Sequence, residues 1–268
     1  MAFDAFFLTA VLDEFFGKLR EKHVPLIARI QEVPQIDDSF LHKVYPIEGQ
    51  RKFSDYLMDV LGIDRAHCVL GETEHPFTLN FPSQDVRITT NYTETELACS
   101  MYSVIHEGGH ALYELGVNPA YDYNCLSGGV SMGVHESQSR FFENIIGRSK
   151  PFVLAVYPKI KEFFPEQLAD VSAEDFYRAV NKAEPSLIRT EADELTYALH
   201  IMVRYELEKR VMSDELEVKD LPAEWNRLYK EYLGVDVPCD REGVLQDSHW
   251  SGGGIGYFPS YALGSAYG

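Results

Sequence analysis

The 268-residue chain has only four cysteines, and no two of them form a CxxC pair. Cys68, Cys99, Cys125 and Cys239 are scattered, which argues against a disulfide framework and favours a reducing, cytoplasmic setting. Basic residues are also few. Lys and Arg number 24 against 42 Asp and Glu, a net charge of −18, and such a field disfavours nucleic acid and anionic membrane as partners. No run is long and apolar enough to cross a bilayer. The N-terminus is greasy but has no basic start, and it holds Asp4, Asp13 and Glu14, the reverse of a signal peptide. Its apolar positions (Phe3, Phe6, Phe7, Ala10, Val11, Phe15) recur at helical spacing and predict a core-facing helix. There is no Gly-, Ser- or Pro-rich linker and no repeat, so residues 1–268 are read as a single domain.

What is present is an ordinary globular composition, 45% hydrophobic and 25% charged. Patterning predicts a mainly helical protein. Helices are expected over 9–32, where Pro25 should kink or divide the element, over 53–61 before Gly62, and over 186–212 and 222–233. The stretch HPFTLNFPSQDVRITTNY at 75–92 reads as a hairpin and as the one substantial sheet. Thr93-Glu94-Thr95-Glu96 has the form of a capping box. It predicts a helix ending at Leu115 before Gly116, followed by a second helix carrying VHESQSRFFENI before Gly147. The closing GVLQDSHWSGGGIGYFPSYALGSAYG is rich in glycine and aromatics, a composition suited to a site wall. The 16 Tyr and 16 Phe read as core and groove lining, and the shared helix face of His200 and Arg204 reads as packing.

The helix before Gly116 carries HEGGH at 106–110. His106 and His110 lie one turn apart on one face and can converge on a Zn²⁺, while Glu107 on the adjoining flank reaches the water to be activated. Gly108 and Gly109 in mid-helix each cost about 1 kcal/mol relative to alanine, so close approach by another backbone or a substrate is their natural explanation. A catalytic zinc needs a third protein ligand, and Glu136 on the second helix supplies one. Its neighbour His135 is expected to point elsewhere. A di-iron reading would need a second helical ExxH unit. Glu72-Thr-Glu-His75 is followed by Pro76 and sits in loop or hairpin, so that geometry fails.

Six motifs stand in order: HPFT at 75–78, DVRIT at 85–89, HEGGH at 106–110, HESQ at 135–138, IRTEAD at 188–193 and GVLQDSHW at 243–250. Through them the chain resembles the carboxypeptidase Taq family of metallocarboxypeptidases. The resemblance implies a mainly α fold with the HExxH helix, a second ligand helix and a small β-sheet beside the site. It also implies a homodimer, and metal-dependent removal of single C-terminal residues from peptides with broad specificity. His106, His110 and Glu136 match the metal ligands, for one Zn²⁺ per chain with Co²⁺ as the alternative ion, and Glu107 matches the general base. Arg189, Asp247, His249 and the tyrosines near Tyr257 match positions around the substrate site. The match is to the rear portion of the family. The family's N-terminal helical region and final helices are expected to have no counterpart in these residues.

The expected chemistry follows. Zinc acidifies a water to a pKa of about 7 and polarises the scissile carbonyl, and Glu107 carries the proton to the leaving amine. His249, Tyr257 or Tyr261 would donate to the oxyanion. An arginine reads the terminal carboxylate best: Arg189 first and Arg87 second, unless they hold structural carboxylates such as Asp193 or Asp85. Asp247 would orient a neighbour, a zinc-ligand imidazole being one choice, and His249 could instead pack against Trp250. A zinc endopeptidase and a non-catalytic metal- or peptide-binding remnant are the competing readings.

Overall fold

The computed structural model describes residues 9–268. In chain order the elements are α1 (Thr9–Gln31), α2 (Ile47–Val60), β1 (Cys68–Glu72), β2 (Thr78–Asn80), β3 (Val86–Thr90), α3 (Leu97–Leu115) and α4 (Met132–Arg140). A π-helical turn, Phe141–Gly147, follows directly. Then come α5 (Lys150–Phe163), α6 (Ala173–Val180), α7 (Glu194–Met212), α8 (Leu221–Leu233) and α9 (Pro259–Tyr267). The fold is mainly helical, as expected. Among the described residues no helix is long and apolar enough to cross a membrane. Among the described residues, contacts gather into two compact units, residues 36–181 with 264–268, and residues 9–35 with 182–263.

In the first of these units α3 is the central element, packed against α2, α4 and the sheet. Its apolar side chains Leu97, Met101, Val104, Ile105 and Ala111 are buried with Phe53, Leu57 and Met58 of α2 and Val86 and Ile88 of β3. The sheet has the order β1-β3-β2. β2 and β3 form the expected antiparallel hairpin, Thr78 opposite Ile88 and Asn80 opposite Val86. β1 lies parallel to β3 on its other side, Cys68 opposite Val86. Its five residues include Gly71 and flank polar turns, so no local alternation announces it.

The capping box does not form. Thr93 closes a turn through its carbonyl, which accepts from Glu96 N at 3.2 Å. Its hydroxyl donates to Asn91 Oδ1 at 3.4 Å, and the Glu96 carboxylate meets His42 at 3.3 Å. The helix therefore starts at Leu97 without a side-chain cap. By contrast α4 is capped by Ser131, whose Oγ accepts from Val134 N at 3.2 Å, and α5 and α6 by Ser149 and Ser172. The caps of α5 and α6 mark helices that hydrophobic periodicity alone left unassigned.

In the other unit α7 is buried nearly all round, through Leu199, Ile201, Met202, Val203 and Leu207, the mark of a core helix. It starts at Glu194 because Asp193 caps it, accepting from Leu195 N at 2.9 Å and Thr196 N at 3.1 Å. The expected helical run from 186 is therefore a loop with a short 3₁₀ turn, Arg189–Glu191. α1 continues through Pro25 as one element. It turns Leu12, Phe16 and Ile27 inward, while Val11 stays 45% exposed, so the buried stripe is displaced from the expected one. Phe3, Phe6 and Phe7 lie outside the described residues.

His200 sits in this core, fully buried, with Nδ1 3.0 Å from Tyr229 Oη. Burial, with Arg204 and Arg189 nearby, pushes its pKa down to about 3. The unfolded imidazole takes up a proton below 6.5, so the stability tied to the neutral ring is whole above that pH and is lost as pH falls toward 3. We expect urea midpoints measured across this window to fall less steeply for His200→Gln than for the unmodified chain. Parallel curves would contradict the assignment.

Candidate metal centre

Helix α3 carries His106, Glu107 and His110 on adjoining faces, and α4 brings Glu136 against it. Gly109 makes this approach possible. A Cβ there would stand 2.7 Å from Ser139 Cα and 2.8 Å from Gln138 O, both backbone atoms of α4, so the mid-helix glycine serves backbone contact. Gly264 makes room for the Glu136 side chain itself, since a Cβ would stand 2.4 Å from Glu136 Cγ. Gly108 is less constrained, because a Cβ there would meet the Leu61 and Ile63 methyl groups at 2.6 and 3.2 Å.

The result is a three-ligand cluster, His106, His110 and Glu136, with one ligand atom of each within 4.8 Å of the others. Glu136 Oε2 lies 3.8 Å from His106 Nε2 and 3.5 Å from His110 Nε2. A tetrahedral ion with bonds of ~2.0–2.1 Å requires ligand-to-ligand edges of about 3.4 Å. The donor set and these separations therefore fit a divalent ion of the zinc type. Glu107 is buried beside the cluster, and its Oε2 accepts from Thr78 Oγ1 of β2 at 2.5 Å. Thr78 fixes the carboxylate that a general base would use.

The far nitrogen of each imidazole is also held. His106 Nδ1 is 2.8 Å from Glu143 Oε2, a residue of the π-helical turn, and Arg148 Nη2 reaches the other oxygen of Glu143 at 3.5 Å. Arg140 Nε donates to Glu136 Oε1 at 3.1 Å, leaving Oε2 toward the histidines. His110 Nδ1 is 2.7 Å from His135 Nδ1. The expectation that His135 points elsewhere is thus corrected: one turn of α4 past Ser131, its ring meets His110 across the helix pair. Glu143, Arg140, Glu114 and Thr78 were not singled out from the sequence. The i,i+4 spacings Glu136–Arg140 and His110–Glu114 were the available signal.

Electrostatics follow from burial. Desolvation alone would lower the His106 pKa, but Glu136, Glu143 and Glu107 together raise it to about 9. Burial opposes ionisation of Glu136, yet His106, His110 and Arg140 bring it down to about 2. Glu143 is likewise held well below the ordinary range, burial being overcome by Arg140 and His106. His110 is lowered by burial and so keeps a lone pair available. The site is anionic and ready for a cation.

The expected substrate residues lie in the other unit, with one exception. Asp247 receives Arg189 Nε and Nη2 on Oδ1 at 3.0 and 2.8 Å, and Arg204 Nε on Oδ2 at 2.6 Å. It orients two guanidiniums and not a ligand imidazole, whose Nδ1 partners are Glu143 and His135. Arg189 is buried with Nη1 donating to Tyr197 Oη at 3.1 Å, so the structural carboxylate it holds is Asp247, while Asp193 caps α7. His249 Nε2 lies 2.9 Å from Tyr261 Oη, with the Phe258 and Tyr257 rings 4.5 and 5.4 Å away. The exception is Arg87, on the exposed face of β3. Its fork is taken by Asp85 at 2.9 and 2.8 Å and its plane lies over Phe81. This is the structural pairing, and Arg87 does not join the cluster.

A family model described as carboxypeptidase Taq (M32) metallopeptidase matches residues 2–268. Carboxypeptidase 1 of Bacillus subtilis is 48% identical over 258 residues, 96% of this chain and 52% of that protein. Thermostable carboxypeptidase 1 of Thermus thermophilus is 46% identical over 253 residues, 94% of this chain and 49% of that protein. The crystal structure of an M32 carboxypeptidase from Deinococcus radiodurans superposes with a TM-score of 0.94 at 42% identity, covering 97% of this chain and 53% of that one. The chain spans about half the length of the curated relatives it matches.

The two mid-helix glycines should respond differently to alanine. Gly109→Ala gains about 1 kcal/mol of helix propensity but forces Cβ into α4 backbone, an overlap of the kind that costs ~1–3 kcal/mol. We expect a net loss in denaturant melts together with weaker metal binding as Glu136 is displaced. Gly108→Ala meets only side-chain methyls and should stay within about 1 kcal/mol of the parent. Equal behaviour of the two variants would contradict the close-approach role of Gly109.

Proposed function

The chain belongs to the carboxypeptidase Taq (M32) family of metallopeptidases, and from that premise we propose that it is a zinc-dependent carboxypeptidase of broad specificity acting on peptides with a free C-terminus. The observation that carries this reading is the facing of His106 Nε2, His110 Nε2 and Glu136 Oε2 beside a Glu107 carboxylate held by Thr78. His106, His110 and Glu136 would hold one Zn²⁺, with Co²⁺ as the alternative. When bound, the ion supplies Lewis acidity toward the scissile carbonyl and acidifies a water. Glu107 takes that water's proton on its carboxylate and delivers it to the departing amine. Thr78, by occupying one carboxylate oxygen, leaves the other to face the reacting atoms.

Arg189 is the proposed reader of the terminal carboxylate. Around Asp247 two buried guanidiniums meet one carboxylate, an excess of positive charge that favours an anionic ligand. Asp247 then sets the orientation of Arg189, and Arg189 Nη1 and Nη2 present the donors. His249, Tyr257 and Tyr261 are proposed to donate hydrogen bonds to the charge that develops on the carbonyl oxygen. The His249–Tyr261 contact keeps both side chains in one orientation. A homodimer working in the cytoplasm completes the reading.

The test joins metal content to cleavage of an N-blocked dipeptide with a free C-terminus, alongside its amidated counterpart. We expect zinc near one per chain and hydrolysis of the free acid alone. Turnover should fall by about 10²–10⁴-fold in Glu107→Gln. Equal cleavage of the amide would replace the carboxypeptidase reading with an endopeptidase. Zinc without turnover would remove the catalytic part and leave the metal centre.

A further inference from the structure

His135 meets a metal-ligand candidate through a ring nitrogen, an arrangement that simple packing does not require. We propose that His135 and Glu114 are positioning residues that hold His110 in its Nε2-ligating tautomer through a hydrogen-bond relay that ends on the Glu114 carboxylate, which Asn80 braces from its other oxygen. The inference rests on the reading of His106, His110 and Glu136 as metal ligands, and it adds a role for residues outside that set.

The direction of the relay follows from counting protons. A neutral imidazole has one N–H and one lone pair. His110 turns Nε2 toward Glu136, at 3.5 Å, so the ligating lone pair is on Nε2 and the proton is on Nδ1. The 2.7 Å contact between His110 Nδ1 and His135 Nδ1 accommodates one proton, which His110 supplies. His135 therefore accepts on Nδ1 and carries its own proton on Nε2. That N–H donates to Glu114 Oε1 at 2.6 Å, and Glu114 Oε2 accepts from Asn80 Nδ2 of β2 at 2.9 Å. Every contact has one donor and one acceptor, and the metal end sets the sense of the two that involve His135, while Asn80 donates to the carboxylate in either case.

The surroundings fit a built relay. Glu114 is 4% exposed, and a carboxylate so placed is costly unless donors reach both oxygens. The Tyr113 ring stands edge-on to His135 at 5.0 Å. A Cβ on Gly129 would come within 2.7 Å of His135 Cδ2 and 3.0 Å of Tyr113 Cε1. Gly128, at a φ of +84°, lies against both Glu114 oxygens, where its Cβ would stand 3.8 Å away. Two consecutive glycines thus let the loop before α4 close over the relay. The two imidazoles are held differently: His106 by a carboxylate directly, and His110 by a neutral ring with a carboxylate behind it.

The experiment uses the 268-residue chain with zinc, measured by competition against a chromophoric chelator, and nitrogen-15 NMR of the histidine rings in the loaded protein. His135→Leu should weaken zinc binding by roughly 10- to 100-fold, the range for outer partners of metal ligands. His135→Gln, whose amide offers an acceptor and a donor, should restore affinity to near that of the unmodified chain. In the loaded parent, NMR should show His110 protonated on Nδ1 and His135 on Nε2. The proposal is overturned if the leucine variant binds zinc like the parent, or if the glutamine and leucine variants lose affinity equally. A His135 proton on Nδ1 would overturn it without recourse to any variant, including the case in which His135→Leu fails to fold. Failure of the unmodified chain to bind zinc would overturn the metal centre itself and this inference with it.

Discussion

The candidate metal centre depends on the distance between two helix backbones. His106 and His110 are one turn apart wherever a helix carries them, but a third ligand must come from another element. The Glu136 side chain is short enough that α4 has to lie against α3 to deliver it. Gly109 permits that contact, since any Cβ would overlap Ser139 Cα and Gln138 O. Gly264 leaves room for the Glu136 side chain. The glycines that weaken α3 as an isolated helix are the condition for the cluster that the helix carries.

Charge is the second constraint. The buried groups around the cluster include Glu107, Glu114, Glu136 and Glu143 against Arg140 and Arg148. Four formal negatives and two positives leave −2 when the imidazoles are neutral, the charge that one divalent ion cancels. Without the ion, part of the imbalance is met by a proton on His106, whose pKa rises to about 9 under Glu136, Glu143 and Glu107 despite burial. Such a group of carboxylates has no rationale as packing, because each buried charge costs several kcal/mol unless compensated.

The candidate metal cluster was legible in the sequence because it rests on spacing within one helix, and HEGGH at 106–110 states that spacing outright. Glu136 was reachable because a helical segment with a carboxylate follows soon after. The surrounding groups were not legible for a physical reason. Thr78, Asn80, Glu114, His135 and Glu143 come from the sheet, both helices and the π-helical turn. Their pairing depends on how α3, α4 and β2 are rotated about their own axes. Helical phase alone had His135 turned away, whereas its ring reaches across the close α3–α4 contact to His110. In the same way β1 was missed, because its parallel pairing with β3 leaves no local alternation, while the β2–β3 hairpin could be read from its neighbouring β-branched and turn residues. At Thr93 the motif was present but a backbone turn took its place, since the Glu96 N–H found the Thr93 carbonyl.

Two arrangements in this chain use the same electrostatic device, one carboxylate that organises several donors around it. In one, a single carboxylate, Glu136, faces two imidazoles and a guanidinium. In the other, a single carboxylate, Asp247, faces two guanidiniums. Asp247 uses both oxygens, so neither Arg189 nor Arg204 can turn without leaving a buried charge unpaired, at a cost of ~3–5 kcal/mol. That rigidity distinguishes Arg189 from Arg87, which also holds a carboxylate but does so in solvent, where water screens the pair. An arginine fixed before a ligand arrives loses little conformational entropy on binding it. The burial that withholds Arg189 from solvent is therefore consistent with a role in recognising an anion, and the exposure of Arg87 is not an advantage for that role.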